Sequence, residues 1–308
     1  MRALSEQFMY DLKNPDGMLH PILERVKNDQ TLMLAIRQDK INIYYRGGSL
    51  LRIEQLKYSY KTFFNPNYYK ESKFSIELPG EIQSHIEAQK WVDEFSNLKQ
   101  IMDFHIKKNP KAEREFQQLV ARENNDSTIS NESEYFISDI EVSDSELGAR
   151  IDMLAIRWPV KFRKTGNNCK ATFIEMKYAD DALDNSSGLI KHLQDFDASI
   201  TDKSRYQEFL EVMESQFNQL DDLGLLQFNK GTSNAKVKLN PDDRPEVIFI
   251  LANHNPRSTK LKTILSDPQI DEYARANKFD LKFFVSSFAG YGLHTDCMLS
   301  LDEFRKLL

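Results

Sequence analysis

The sequence predicts an α/β protein, with a mixed central sheet flanked by helices in the order α-β-β-β-α-β, preceded by a smaller α+β unit. Three observations carry this. Residues 111–123 and 188–200 repeat their apolar positions at helical spacing, and Pro110 and Gly188 mark where they start. Between them lie three strand-like stretches, 135–142, 151–156 and 171–178, separated by polar or basic turns. Further on, residues 246–252 form a nearly unbroken apolar run, the pattern of a strand buried on both faces.

In chain order, the first segment, 1–108, reads as an α+β unit of its own. Residues 21–26 suggest a short helix. Strand-like runs at 32–36 and 41–45 are joined by the polar turn Arg37-Gln38-Asp39-Lys40, and Gly47-Gly48 turns the chain into 49–53, which makes a small antiparallel meander. Tyr58, Tyr60, Phe63, Phe64, Tyr68 and Tyr69 alternate with Lys57, Lys61 and Lys70. Such rings either cap the core of the meander or stack bases while the lysines hold phosphates. Apolar residues from Ile82 to Ile106 recur at helical spacing, which predicts a long helix ending at Asn109.

The second segment, 109–308, opens on the helix 111–123, followed by the polar, Ser- and Asn-rich residues 124–134. The three strands come next. The helix 188–200 buries Leu189, Ile190, Leu193 and Phe196, which leaves Lys191, His192, Gln194 and Asp195 on other faces, with His192 read as solvated. An amphipathic helix at 205–223 stops at Gly224. After the strand at 246–252 come short helices to about 277, a strand at 281–288, a Gly-Tyr-Gly loop at 290–292, and a last helix capped by Ser300 and Glu303.

Composition narrows the function classes. At 308 residues, 40% hydrophobic and 29% charged, the chain has ample material for a core. No apolar run approaches the ~20 residues that span a bilayer. The N-terminus lacks a secretory leader and the two cysteines form no framework, so a reduced, cytoplasmic protein is expected. The six histidines show no zinc-like spacing, which leaves an oxygen-liganded metal open. A net charge of −6 argues against a protein that coats nucleic acid indiscriminately. One local exception exists: residues 157–170 hold Arg157, Lys161, Arg163, Lys164 and Lys170 and no acid.

Charges inside two of the strands point to a site. In a strand alternate side chains share a face, so Glu175 and Lys177 project together, roughly 6.5–7 Å apart. Asp152 is the only charge in the apolar run 151–156. Taking such groups out of water costs several kcal/mol each unless they are paired, hydrogen-bonded or bound to a metal.

Asp152 followed two dozen residues later by Glu175-x-Lys177 resembles the signature of the PD-(D/E)XK nuclease superfamily, the restriction-endonuclease-like fold, although Ile151 stands where its name-giving proline would be. The resemblance spans about residues 110–290 and implies a metal-dependent nuclease acting on nucleic acid, DNA in the first instance. It implies that Asp152, Glu175 and the backbone carbonyl of Met176 hold Mg²⁺, with Mn²⁺ as a substitute, and that Lys177 orients the attacking water. By the same resemblance Glu113, in the Glu113-Arg114 pair, completes the metal shell, and Gln194 or Lys191 assists from the following helix. Lys161, Arg163 and Lys164 are the expected nucleic-acid contacts, and a homodimer or further subunits are left open. The alternative is a nucleic-acid-binding or scaffolding protein that keeps the fold without the chemistry.

Overall fold

The computed structural model describes residues 2–72, 76–144, 149–165, 167–184, 188–255, 259–286 and 290–308. They divide into two compact units, Met1–Gln118 with Gln219–Leu226, and Leu119–Asn218 with Gln227–Leu308.

The first unit is built on an antiparallel sheet of β1 (Met33–Arg37), β2 (Lys40–Tyr45), β3 (Gly48–Gln55), β4 (Tyr60–Phe63) and β5 (Glu81–Ile82), hydrogen-bonded in that order. Alternation decides its two faces. Leu34, Ile36, Ile41, Ile43, Leu51, Ile53, Tyr60 and Ile82 are buried on one, while Arg52, Lys61 and Phe63 are exposed on the other. Helices Glu6–Lys13, His20–Lys27 and His85–Lys108 bring the remaining apolar residues of this core, among them Phe8, Ile22, Trp91 and Phe95. The first of these was not expected from the sequence. Ser5 caps it, and its Phe8 ring meets Tyr60 edge-on at 4.8 Å.

The boundary differs from the expected one at 108. It falls after Gln118, inside the helix Ala112–Asn125, and residues 219–226 return to the first unit. Gln219 ties them there, accepting from the Leu4 N–H at 2.9 Å and donating to the Leu4 carbonyl at 2.8 Å. Leu220, Leu223, Leu225 and Leu226 are buried. A fragment beginning at Asn109 is therefore expected to expose these leucines, to bind a hydrophobic dye, and to melt ~10 °C or more below the full chain. If the fragment melted with the full chain, 219–226 would not depend on the first unit.

The second unit holds β6 (Tyr135–Asp144), β7 (Ala149–Arg157), β8 (Lys170–Tyr178), β9 (Glu246–Ala252) and β10 (Asp280–Val285), in the order β10-β9-β8-β7-β6. β6, β7 and β8 are antiparallel neighbours, whereas β8, β9 and β10 run parallel. Helices Leu189–Thr201 and Lys203–Asp222 come between β8 and β9 in the chain, and the sheet is mixed, as expected of an α/β protein. The expected strand at 281–288 ends at Val285, and residues 287–289 lie outside the described residues.

All seven residues of β9 are buried, as a strand between two parallel neighbours requires. Its one charge, Glu246, is satisfied at three points: Tyr135 donates its hydroxyl at 2.7 Å, Arg157 its guanidinium at 2.9 Å and Lys282 its ammonium at 2.7 Å. Burial beside that carboxylate pushes the Tyr135 phenol pKa up from its usual value.

One irregularity positions the site. The ladder between β7 and β8 runs from Arg157↔Lys170 to Met153↔Ile174, whereas the ladder between β6 and β7 continues to Ala149. Beyond Ile174, β8 is paired in register only with β9. β8 thus parts from β7 at Asp152.

Candidate functional site

The opening between β7 and β8 is filled by a carboxylate. Asp152 Oδ2 accepts the backbone N–H of Met176 at 2.9 Å, in place of the ladder partner that β7 no longer supplies. A strand residue turns its N–H and C=O to the same neighbour, so the Met176 carbonyl faces this opening too.

Glu175 and Lys177 share a face as their spacing requires, and the Lys177 ammonium donates to Glu175 Oε1 at 2.7 Å. Relative exposures of 4% for Asp152, 2% for Glu175 and 4% for Lys177 show that all three are withdrawn from water. The pair neutralises itself, yet Glu175 Oε2 is buried without a hydrogen-bond partner among the described residues. An ionised oxygen left in that state costs more than the ~1–3 kcal/mol of a neutral group.

His192 corrects the solvated reading. Its Nε2 stands 2.9 Å from Glu175 Oε1, near enough to pair when the ring is protonated, but the atom forms no aligned hydrogen bond. Three residues after Leu189 and four before Phe196, it lies on the helix stripe that faces inward. That offset was the available signal. Gly188 allows the helix to begin here, because a Cβ on it would come within 2.8 Å of the Asp184 backbone. Lys191 and Gln194, the residues expected to assist, are instead exposed, and Lys191 pairs with Asp195.

Where β8 and β9 end, a second pair was missed altogether. His254 Nδ1 lies 2.9 Å from Asp180 Oδ1, which also accepts the Asn255 N–H at 3.2 Å. A carboxylate only accepts, so Nδ1 carries the proton and Nε2 is the ring nitrogen left over. That atom is buried without a partner among the described residues. Asp180 follows Lys177 by three residues, and His254 likewise follows Leu251, the β9 partner of Lys177. The two residues are 74 positions apart in the chain, too far for any local pattern to pair them.

The basic loop between β7 and β8 lies at the other end of these strands. At ~3.3 Å per residue, about 17 Å of β7 separates Asp152 from Arg157, and about 23 Å of β8 separates Lys177 from Lys170. Lys161 and Lys164 are exposed there. Arg163 is not, at 1% exposure, which overturns its expected role as a nucleic-acid contact. Its guanidinium donates to the carbonyls of Trp158 at 3.2 Å, Asn131 at 2.6 Å and Ser133, and lies over the rings of Phe136 at 5.1 Å and Phe228 at 5.8 Å. Burial lowers its pKa from the usual value.

Among the described residues no group of three or more His, Cys, Asp or Glu side chains is placed to hold a metal ion. Mg²⁺ does not require such a cage, since it keeps several waters and takes one or two carboxylates. The unpartnered Glu175 oxygen, the Asp152 carboxylate and the Met176 carbonyl have the hard oxygen chemistry that suits it. Glu113 sits half-buried in the first turn of Ala112–Asn125, in the part of that helix that belongs to the first unit. No helix among the described residues is long and apolar enough to cross a membrane. Comparison with family models, with curated proteins and with solved structures finds no match.

Proposed function

We propose that the second unit is a metal-dependent nuclease of the restriction-endonuclease-like type, which hydrolyses phosphodiester bonds of nucleic acid, DNA in the first instance. The observation that supports this most directly is the opening at Asp152, where a carboxylate bonds the Met176 peptide of the adjoining strand and the preceding residue, Glu175, keeps a buried carboxylate oxygen without a partner among the described residues. In this reading Asp152, Glu175 and the Met176 carbonyl would hold Mg²⁺. Bound there, the ion supplies Lewis acidity toward the phosphoryl oxygen and lowers the pKa of a water.

The protein's own groups have narrower tasks. Lys177, an ammonium held on Glu175, has only protons to donate, so it orients the attacking water and offsets the charge that grows on the phosphoryl oxygens. His192 flanks Glu175 and limits the directions in which that carboxylate can turn. The rival reading, an inactive nucleic-acid-binding or scaffolding protein, draws on the self-neutralised Glu175–Lys177 pair, which needs no metal to offset its charge.

Labelled single- and double-stranded DNA and RNA, incubated with the full chain in Mg²⁺, Mn²⁺ or EDTA, separate the two. Cleavage of at least one substrate in either metal, lost in EDTA, is expected. Binding without cleavage in both metals would favour the rival.

A further inference from the structure

We propose that the solvent face of the first unit's sheet is a binding surface for single-stranded nucleic acid. This goes beyond the nuclease reading, because it gives a role to residues that the proposed active site does not use.

Cross-strand register defines the face, since partners in an antiparallel pair point the same way. One row is Ala35, Asn42, Arg52 and Phe63, of which Ala35 is buried; the next is Arg37, Lys40, Glu54, Lys61 and Glu81. Tyr58 stands in the turn between β3 and β4. Of the six rings that the sequence places among lysines, Tyr60 and Tyr68 go into the core, at 1% and 6% exposure. Phe63 and Tyr58 do not, at 40% and 79%. Each has a cation over it: the Arg52 guanidinium lies 4.5 Å from the Phe63 centroid, and the Lys57 ammonium 5.0 Å from that of Tyr58.

An ordinary solvated sheet face accounts for the charges, and the two exposed rings, each with a cation over it, add flat apolar surface to them. Lys40, Arg52, Lys57 and Lys61 outnumber the face's acids Glu54 and Glu81, although the whole chain is acidic at −6. Lys40 is spent on Glu54 at 3.0 Å, which leaves the basic excess beside the two rings. Rings and guanidinium planes offer stacking to any base, and the cations offer contacts to the backbone between bases. A duplex keeps its bases stacked on each other and out of reach of a flat sheet, so the face selects unpaired strands. The 2′-hydroxyl plays no part in these contacts, so DNA and RNA share this chemistry.

The test is fluorescence anisotropy of the full chain in EDTA, with oligothymidylate, oligouridylate and a duplex of equal length. Both single strands are expected to bind more tightly than the duplex. Tyr58→Ala and Phe63→Ala should each weaken that binding about tenfold. Phe63→Leu, which keeps an apolar side chain without the ring, should weaken it as well while melting with the wild type. Arg52→Ala and Lys61→Ala should each lower the salt slope by ~0.7. Preference for the duplex, no binding at all, or unchanged affinity in the double Tyr58→Ala, Phe63→Ala variant would overturn the inference. Because cleavage is not read here, a chain that binds through this face but cuts nothing would remove only the nuclease reading. A chain that cuts while the ring variants bind like wild type would remove only this one.

Discussion

Asp152→Asn is expected to lower metal-dependent cleavage by on the order of 10³-fold while leaving the fold in place. The asparagine oxygen can still accept the Met176 N–H, so the bond that fills the opening between β7 and β8 survives. What is lost is the charge that would hold the ion. Lys177→Met should also abolish turnover, but for another reason. Removing the ammonium releases Glu175 Oε1, so Mn²⁺ should bind at least as tightly as in wild type even though no cleavage follows. Calorimetry separates the two variants: wild type and Lys177→Met should gain melting temperature with Mn²⁺, and Asp152→Asn should gain less. Wild-type cleavage in both variants would take the chemistry out of this stretch entirely.

Arg163→Ala is expected to cost about 4 kcal/mol of stability, because it strands three carbonyls, two of them buried, and leaves a gap between Phe136 and Phe228. Arg163→Lys should recover little, since one ammonium cannot reproduce a planar fork that reaches three acceptors. Lys164→Ala, a few ångströms of chain away and exposed, should stay within about 0.5 kcal/mol of wild type. Thermal melts of the three variants decide the matter. An Arg163→Ala variant that melted with wild type and lost nucleic-acid affinity would restore the original expectation of a surface contact.

Arg163 also shows where a sequence stops being legible. In the run Lys161-Phe162-Arg163-Lys164 nothing local distinguishes the middle cation. What withdraws it from water is Phe136 on β6, Phe228 far downstream, and carbonyls at 131 and 133. The strands themselves were legible because burial and alternation are local properties: residues 171–178 and 246–252 carry their pattern wherever they pack. Nearness of Glu175 and Lys177 followed from strand parity alone. That Asp152 would bond the Met176 peptide did not, since it depends on β8 leaving β7, an event set by how two ladders end. Helix phase could have identified His192 from Leu189 and Phe196, whereas His254 and Asp180 meet only through the parallel pairing of β8 with β9. The unit boundary was misplaced because Pro110 is a local signal, whereas the return of 219–226 to the first unit is not.

Glu246 has a consequence for how the sheet assembles. The six residues after it, Val247-Ile248-Phe249-Ile250-Leu251-Ala252, are so alike that sliding β9 by two positions keeps every apolar side chain on an apolar face. Hydrophobicity alone would leave several alignments nearly equal in energy. A slipped strand, however, carries the Glu246 carboxylate ~6.5 Å away from Tyr135, Arg157 and Lys282 and leaves a buried charge uncompensated, at a cost of ~3–5 kcal/mol. Parallel strands joined by long helical crossovers pair late and slowly, which is when misaligned contacts have time to form. One carboxylate at the head of the strand therefore acts as a reading-frame marker, making the correct alignment the one from which a folding chain has no reason to depart.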